Sequence, residues 1–249
     1  MEIGVYCTSI RPHLWSDLYK SLSRNNTNFN LCITGPCPPI EPLPGNVKYI
    51  QTNVKPPQCN FIAANNTKGD YILNVTDDIR YSDGALDNLL RVIVKESNTI
   101  VSCVFSDVGN AEGHSYLILE RAWQREDKTA KTIKLNFPLP VCHLMKREDF
   151  NDIGIDKNFI ATDWDLDMSF ELVSRGGKII VEENSFCTEE KGTAHLGCIS
   201  ATVGDYARVL NMWIENDKVK SSRKESINPL IYNDTVLTVS QGPKLDCWN

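Results

Sequence analysis

Two acidic clusters carry the residue types most able to do chemistry. The first is Asp77-Asp78, which ends the run Tyr71-Ile72-Leu73-Asn74-Val75-Thr76. That run reads as a buried strand, introduced by the turn signal Gly69-Asp70 and closed by two adjacent carboxylates. Ser82 then opens a helical stripe in which Leu86, Leu89, Leu90 and Ile93 share one face. Strand, acids and helix make an α/β unit with its acids at the strand's carboxyl end, the edge where open α/β sheets bind ligands. Neighbouring carboxylates there repel each other and lose hydration, so they need a cation or hydrogen-bond donors. A hard divalent ion on carboxylate oxygen, completed by substrate phosphates, would meet that need. A plain polar turn before a helix would show the same two residues, so the pair alone assigns no function.

The second cluster is Thr162-Asp163-Trp164-Asp165-Leu166-Asp167. Thr162 and Asp165 have the spacing of a capping box, with Asp in place of Glu. Leu166, Phe170 and Val173 supply one apolar helical face, and Gly176-Gly177 stops the helix. Asp163 falls in the expected first turn, where the helix dipole favours an ionised carboxylate. A general base must be deprotonated at neutral pH, and that placement suits one. Acids that merely decorate a helix start would look alike. His195, in the glycine-framed loop from Gly192 to Gly197, reads as a structural histidine or as a metal ligand.

The elements around these clusters alternate. Ile3–Thr8 reads as a strand, followed by the loop Ser9-Ile10-Arg11-Pro12 and a helix with Leu14, Leu18 and Leu22. Leu31–Ile33 and Val47–Ile50 read as further strands, separated by a Pro/Gly-rich loop from Gly35 to Gly45. Residues 59–68 read as a helix. This β–α alternation predicts a mainly parallel, Rossmann-like central sheet flanked by helices. Beyond it, Thr99–Val104, Tyr116–Leu119 and Lys178–Val181 read as strands and 205–215 as a helix. The charged run 121–132 reads as a mobile surface segment.

The totals exclude several classes. At 249 residues the chain is long enough for a substantial core, and 41% apolar with 23% charged residues is ordinary for a soluble protein. A net charge of −6 argues against a nucleic-acid binder, and no apolar run is long enough to span a membrane. The nine cysteines form no Cys-x-x-Cys pair, which speaks against zinc and redox motifs. With no charged segment ahead of the first strand, the expectation is a reduced, cytoplasmic protein.

Taken in order, the motifs resemble a GT-A glycosyltransferase, most like the inverting family 2 enzymes. The resemblance rests on Lys68-Gly69-Asp70-Tyr71-Ile72-Leu73 running into Thr76-Asp77-Asp78 and on Met145-Lys146-Arg147-Glu148-Asp149-Phe150-Asn151-Asp152-Ile153-Gly154. It continues through Asp163-Trp164-Asp165-Leu166-Asp167-Met168 and Arg175-Gly176-Gly177-Lys178-Ile179, and spans roughly residues 3–182. It implies an enzyme that moves a sugar from a nucleotide-diphosphate sugar, UDP favoured, to a hydroxyl of a glycan or glycoconjugate. By the same resemblance Asp78 would hold Mn²⁺ or Mg²⁺ and Asp77 would contact the ribose or sugar; His195, from its glycine-framed loop, would complete the metal shell. Thr8, Ser9 and Arg11 would frame the nucleotide, Lys55 would approach the base or diphosphate, Asp163 would be the base and Trp164 would face the acceptor. The GT-A domain is expected over residues 1–217, with a nucleotide-binding half to about residue 100 and a polar extension over 218–249. Two departures stand out: Thr34-Gly35 lies where the family carries an acid for the nucleotide, and Thr162 precedes Asp163 where it carries Glu.

Other classes fit less well. A sugar-phosphate nucleotidyltransferase needs a glycine-rich loop after the first strand, and Cys7-Thr8-Ser9-Ile10-Arg11 has no glycine. A glycoside hydrolase could use two carboxylates, but the βαβ start does not suit one. A carbohydrate-binding protein without activity would have less reason to keep both Asp78 and Asp163.

Overall fold

The computed structural model describes residues 1–107, 115–116, 118–124 and 130–190, with residues 205, 208, 209, 212 and 213. Strand β1 (Glu2–Thr8) leads through a single 3-10 turn, Pro12–Leu14, into helix α1 (Trp15–Leu22). Strands β2 (Asn28–Gly35) and β3 (Val47–Gln51), helix α2 (Pro56–Asn65) and strand β4 (Tyr71–Asn74) follow. A short strand β5 (Ile79–Tyr81) precedes α3 (Ala85–Ile93). Then come β6 (Thr99–Asp107), β7 (Ser115–Tyr116), β8 (Ile118–Gln124), β9 (Ala130–Leu139) and β10 (His143–Lys146). Helices α4 (Arg147–Ile153) and α5 (Trp164–Ser174) and strand β11 (Lys178–Glu189) complete the elements.

The main sheet runs β3-β2-β1-β4-β10-β6-β11-β5, with β7 paired to β6. Neighbours from β3 to β4 are parallel, as are β6 and β11, while β10 is antiparallel to both of its neighbours. The chain therefore winds outward from β1 in one direction to β3 and then returns to add β4 on the other side. That reversal creates a switch point between β1 and β4.

Side-chain alternation sorts the core into two layers. Val5, Cys7, Leu31, Ile33, Leu73 and Leu144 face α1 and α3, packing on Trp15, Leu18, Leu22, Leu86, Leu89 and Ile93. Tyr6, Cys32, Ile72 and Met145 point the other way, onto Ala63 and Ala64 of α2, Phe150 of α4, and Leu166, Met168 and Leu172 of α5. Burial on both faces is why these strands read as unbroken apolar runs.

Three expectations need correction. Ser82 does not open α3: Gly84, with φ 74°, is its N-cap, and β5 intervenes to pair with β11. The run 121–132 is not irregular along its described length, because β8 and β9 form an antiparallel pair matching Arg121 with Ile133 and Gln124 with Ala130. The alternating Ile133, Leu135, Phe137 and Leu139 carried that signal beneath the charges. The capping box also does not form, since the N-cap of α5 is Asp163 itself, without a side-chain cap. No helix among the described residues is long and apolar enough to cross a membrane.

Candidate active site

The acidic pair sits on the turn after β4, at the switch point. Val75 still bonds β1 through its N–H to the Tyr6 carbonyl at 3.1 Å, and the chain then turns so that the Ile79 N–H reaches the Thr76 carbonyl. Asp77 and Asp78 are only 2% and 5% exposed. Donors come from the loop after β1. Ser9 Oγ donates to Asp77 Oδ2 at 2.5 Å, and Arg11 Nε donates to the same oxygen at 3.1 Å. Arg11 Nη2 bonds Asp77 Oδ1 and also Asp78 Oδ2, the latter at 2.8 Å.

That loop is itself held. Ser9 N–H donates to the Thr34 carbonyl at 2.9 Å, and Trp15 Nε1 donates to Ser9 Oγ at 2.7 Å. Gly35 permits the approach of the two loops, for a Cβ there would lie 1.9 Å from the Ser9 carbonyl oxygen. From the other side Arg80 donates to the Asp77 carbonyl at 2.7 Å and pairs with Glu190, whose N–H donates to the Asp78 carbonyl at 2.8 Å.

The two carboxylates are pulled apart electrostatically. Burial pushes the Asp77 carboxyl above its ordinary value, and the bonds from Arg11 and Ser9 offset this only partly. Burial acts on Asp78 in the same sense, but there the charge and hydrogen bond of Arg11 prevail and the carboxyl lies below its ordinary value. Burial alone would lower Arg11, yet bonding to Asp77 and the charge of both acids hold its guanidinium above its usual range.

Whether this turn suits a metal follows from the donor set. Among the described residues no three His, Cys, Asp or Glu side chains converge as a complete metal cage. The two carboxylates fit a hard divalent ion only when other oxygens, such as those of a diphosphate, fill the remaining positions. His195 lies outside the described residues.

Asp163 occupies the N-cap of α5 in a left-handed conformation, φ 59°, and is 1% exposed. The segment before it has no helix or strand of its own between Ile153 and Trp164. It is held from the far end of the chain. Asp205 Oδ1 accepts the Ile160 N–H at 2.8 Å, and its Oδ2 accepts those of Ala161 at 2.6 Å and Thr162 at 2.9 Å. Arg208 donates to Asp156 Oδ2 at 2.6 Å, and Trp213 Nε1 to Asp167 Oδ1 at 2.7 Å.

A row of paired residues runs across the sheet toward α5. Tyr6 of β1 stands opposite Asn74 of β4, and Asn74 opposite His143 of β10. His143 Nε2 lies 3.4 Å from Ser169 Oγ on α5, and that hydroxyl donates to the Asp165 carbonyl at 2.9 Å. His143 is thus a point at which α5 meets β10, the strand beside β4. Burial lowers the His143 imidazole below its ordinary value, outweighing the charge of Asp165, which acts the other way.

The remaining expected residues fall as follows. Thr8 ends β1 and donates to the Thr34 carbonyl at 3.3 Å. Lys55 is the N-cap of α2, its N–H donating to Gln58 Oε1, and no hydrogen bond among the described residues joins it to the acids. Trp164 is buried in the α5 layer of the core. Arg80, Glu190, Asp205 and Arg208 were not legible as site residues. Only Asp205, an acid at the start of a predicted helix, left a signal.

Residues 41–154 match the model of glycosyl transferase family 2. No curated protein sequence matches the chain. Among solved structures, GalNAc-T7 with UDP, GalNAc and Mn²⁺ superposes with a TM-score of 0.65 at 15% identity, covering 94% of this chain and 53% of that one. The chain thus spans about half the length of that protein. TarS 1–349 of S. aureus gives 0.59 at 13% identity, covering 97% and 74%. The same TarS fragment in complex with UDP gives 0.54 at 12%, covering 92% and 76%. The chain has the GT-A fold, as its sequence resemblance implied.

Proposed function

We propose that the protein is a glycosyltransferase that moves a sugar from a nucleotide-diphosphate sugar, UDP favoured, to a hydroxyl of a glycan or glycoconjugate. The observation that carries this reading is the buried Asp77-Asp78 turn at the β1–β4 switch point, clamped by Ser9 and Arg11 of the loop after β1. The family 2 match over residues 41–154 includes this turn, and the structural neighbours named with UDP favour that nucleotide.

In this reading Thr8 and Ser9 frame the nucleotide, and Asp77 meets the ribose or sugar. Asp78 would hold Mn²⁺ or Mg²⁺, which when bound offsets the charge that builds on the departing diphosphate. Arg11 passes from the acids toward the phosphates as the donor arrives. Asp163 accepts the proton of the attacking hydroxyl, so that displacement proceeds in one step with inversion. Asp163 belongs to a different element from the donor site because base and leaving group stand on opposite faces of the sugar.

Titration calorimetry with UDP, with and without Mn²⁺, followed by UDP release from a panel of UDP-sugars, tests the reading. Binding strengthened by Mn²⁺ and turnover of one UDP-sugar are expected. Absence of both nucleotide binding and turnover would leave a carbohydrate-binding role.

A further inference from the structure

Asp205 is a buried acid that makes three hydrogen bonds to main-chain groups. Its carboxylate is 2% exposed, and its two oxygens accept three consecutive backbone N–H groups, those of Ile160, Ala161 and Thr162. With both oxygens taken and almost no access to solvent, it is badly placed to exchange a proton with a substrate. Its chemical effect must pass through the backbone it holds.

That backbone leads directly into Asp163. The segment from Gly154 to Asp163 has no helix or strand of its own, and the Asp163 side chain does not cap α5. An ordinary carboxylate in a left-handed conformation is held only when its surroundings over-determine it. Here they do so from three points. Arg208, three residues beyond Asp205, ties Asp156 at the start of the segment. Trp213 ties Asp167, one turn into α5. Asp205 grips the three peptide groups between, forty-three positions away from Thr162 in sequence.

We infer that Asp205 is a positioning residue that sets the direction of the Asp163 carboxylate through the peptide groups of residues 160–162. The inference rests on the proposal that Asp163 is the base. Misplacement of a reacting group by about 1 Å can cost on the order of 10²-fold in rate, so loosening these peptides should act on turnover. Donor binding depends on Ser9, Arg11, Asp77 and Asp78, none of which touches Asp205, and should survive.

The test uses the full chain and UDP release from an equimolar mixture of UDP-glucose, UDP-galactose, UDP-N-acetylglucosamine and UDP-N-acetylgalactosamine. Asp205→Ala should lower kcat at least tenfold with UDP affinity within twofold, and Asp205→Asn, which keeps one acceptor oxygen, should recover part of the loss. Amide hydrogen exchange should rise at Ile160, Ala161 and Thr162 in the alanine variant. In an Asp163→Asn background, Asp205→Ala should lower kcat no further, because there is no base left to aim. Additive losses, or turnover and UDP affinity falling together, would mean that Asp205 serves stability alone. Unchanged kcat in Asp205→Ala beside a large loss in Asp163→Asn would remove the positioning role and keep the base. Full activity in Asp163→Asn, or no UDP release by the parent protein, would remove both.

Discussion

Arg11 Nη2 lies 2.8 Å from Asp78 Oδ2 and also bonds Asp77, so one guanidinium grips both carboxylates of the turn. The residues are sixty-six and sixty-seven positions apart, and the contact closes the loop after β1 onto the end of β4. Removing one partner of a buried ion pair leaves uncompensated charge behind.

Arg11→Ala should therefore destabilise the protein by about 3 kcal/mol, the low end for breaking such a pair because Arg11 retains some solvent contact. Urea unfolding of parent and variant at neutral pH measures it. A loss below about 1 kcal/mol would place the pair among ordinary surface contacts.

Asp78 gives the pair a pH signature. Its carboxyl in the folded protein lies below the ordinary value of 3.8, chiefly because the Arg11 charge outweighs burial. The stabilisation from ionised Asp78 is thus complete above that ordinary value and disappears as the pH falls through the lower folded value. Asp78→Asn should be clearly less stable than the parent at pH 7, with the gap narrowing as the pH is taken below 3.8. Parallel thermal melts across that range decide it. A gap that widens toward acid would reverse the assigned sign.

Much of the fold was legible because local pattern and tertiary demand agree. The leucines of α1 and α3 and the apolar runs of β1, β2 and β4 are buried as their spacing implied. β5 escaped notice because its three residues, Ile79-Arg80-Tyr81, are too few to show a period, and β11 supplies its pairing. The acids were visible one by one, but the Ser9 and Arg11 contacts depend on which loop the sheet brings across. The start of α5 just before Trp164 was misread, because the Thr162 and Asp165 spacing resembles a capping box. The left-handed Asp163 shifts the helix start and leaves the ring buried.

Gly35→Ala tests the contact between the loops. The added methyl would stand 1.9 Å from the Ser9 carbonyl oxygen, backbone that cannot rotate away as a side chain could. Overpacking of this kind costs about 1–3 kcal/mol. Relief requires Ser9 to move, which also disturbs its bond to Asp77. Lower stability and weaker UDP binding are expected together from unfolding curves and calorimetry on the same preparation. A loss of stability with UDP binding intact would separate Ser9 from the donor site.

Asp163→Asn addresses the chemistry. The residue sits at φ 59°, a conformation that asparagine adopts at least as readily as aspartate, so the backbone should accept the change. Alanine would be a poorer probe, since its side chain offers no local hydrogen bond to offset the left-handed strain. The amide keeps the size of the carboxyl but cannot take up the acceptor's proton, and general base catalysis contributes about 10²–10⁴-fold. Sugar transfer should fall by a factor in that range while UDP affinity and the unfolding midpoint stay near those of the parent. Because the Ser9, Arg11, Asp77 and Asp78 contacts do not involve Asp163, a loss confined to kcat is the signature of a base. Weakened UDP binding instead would move Asp163 into the donor site, and undiminished transfer would take it out of the reaction.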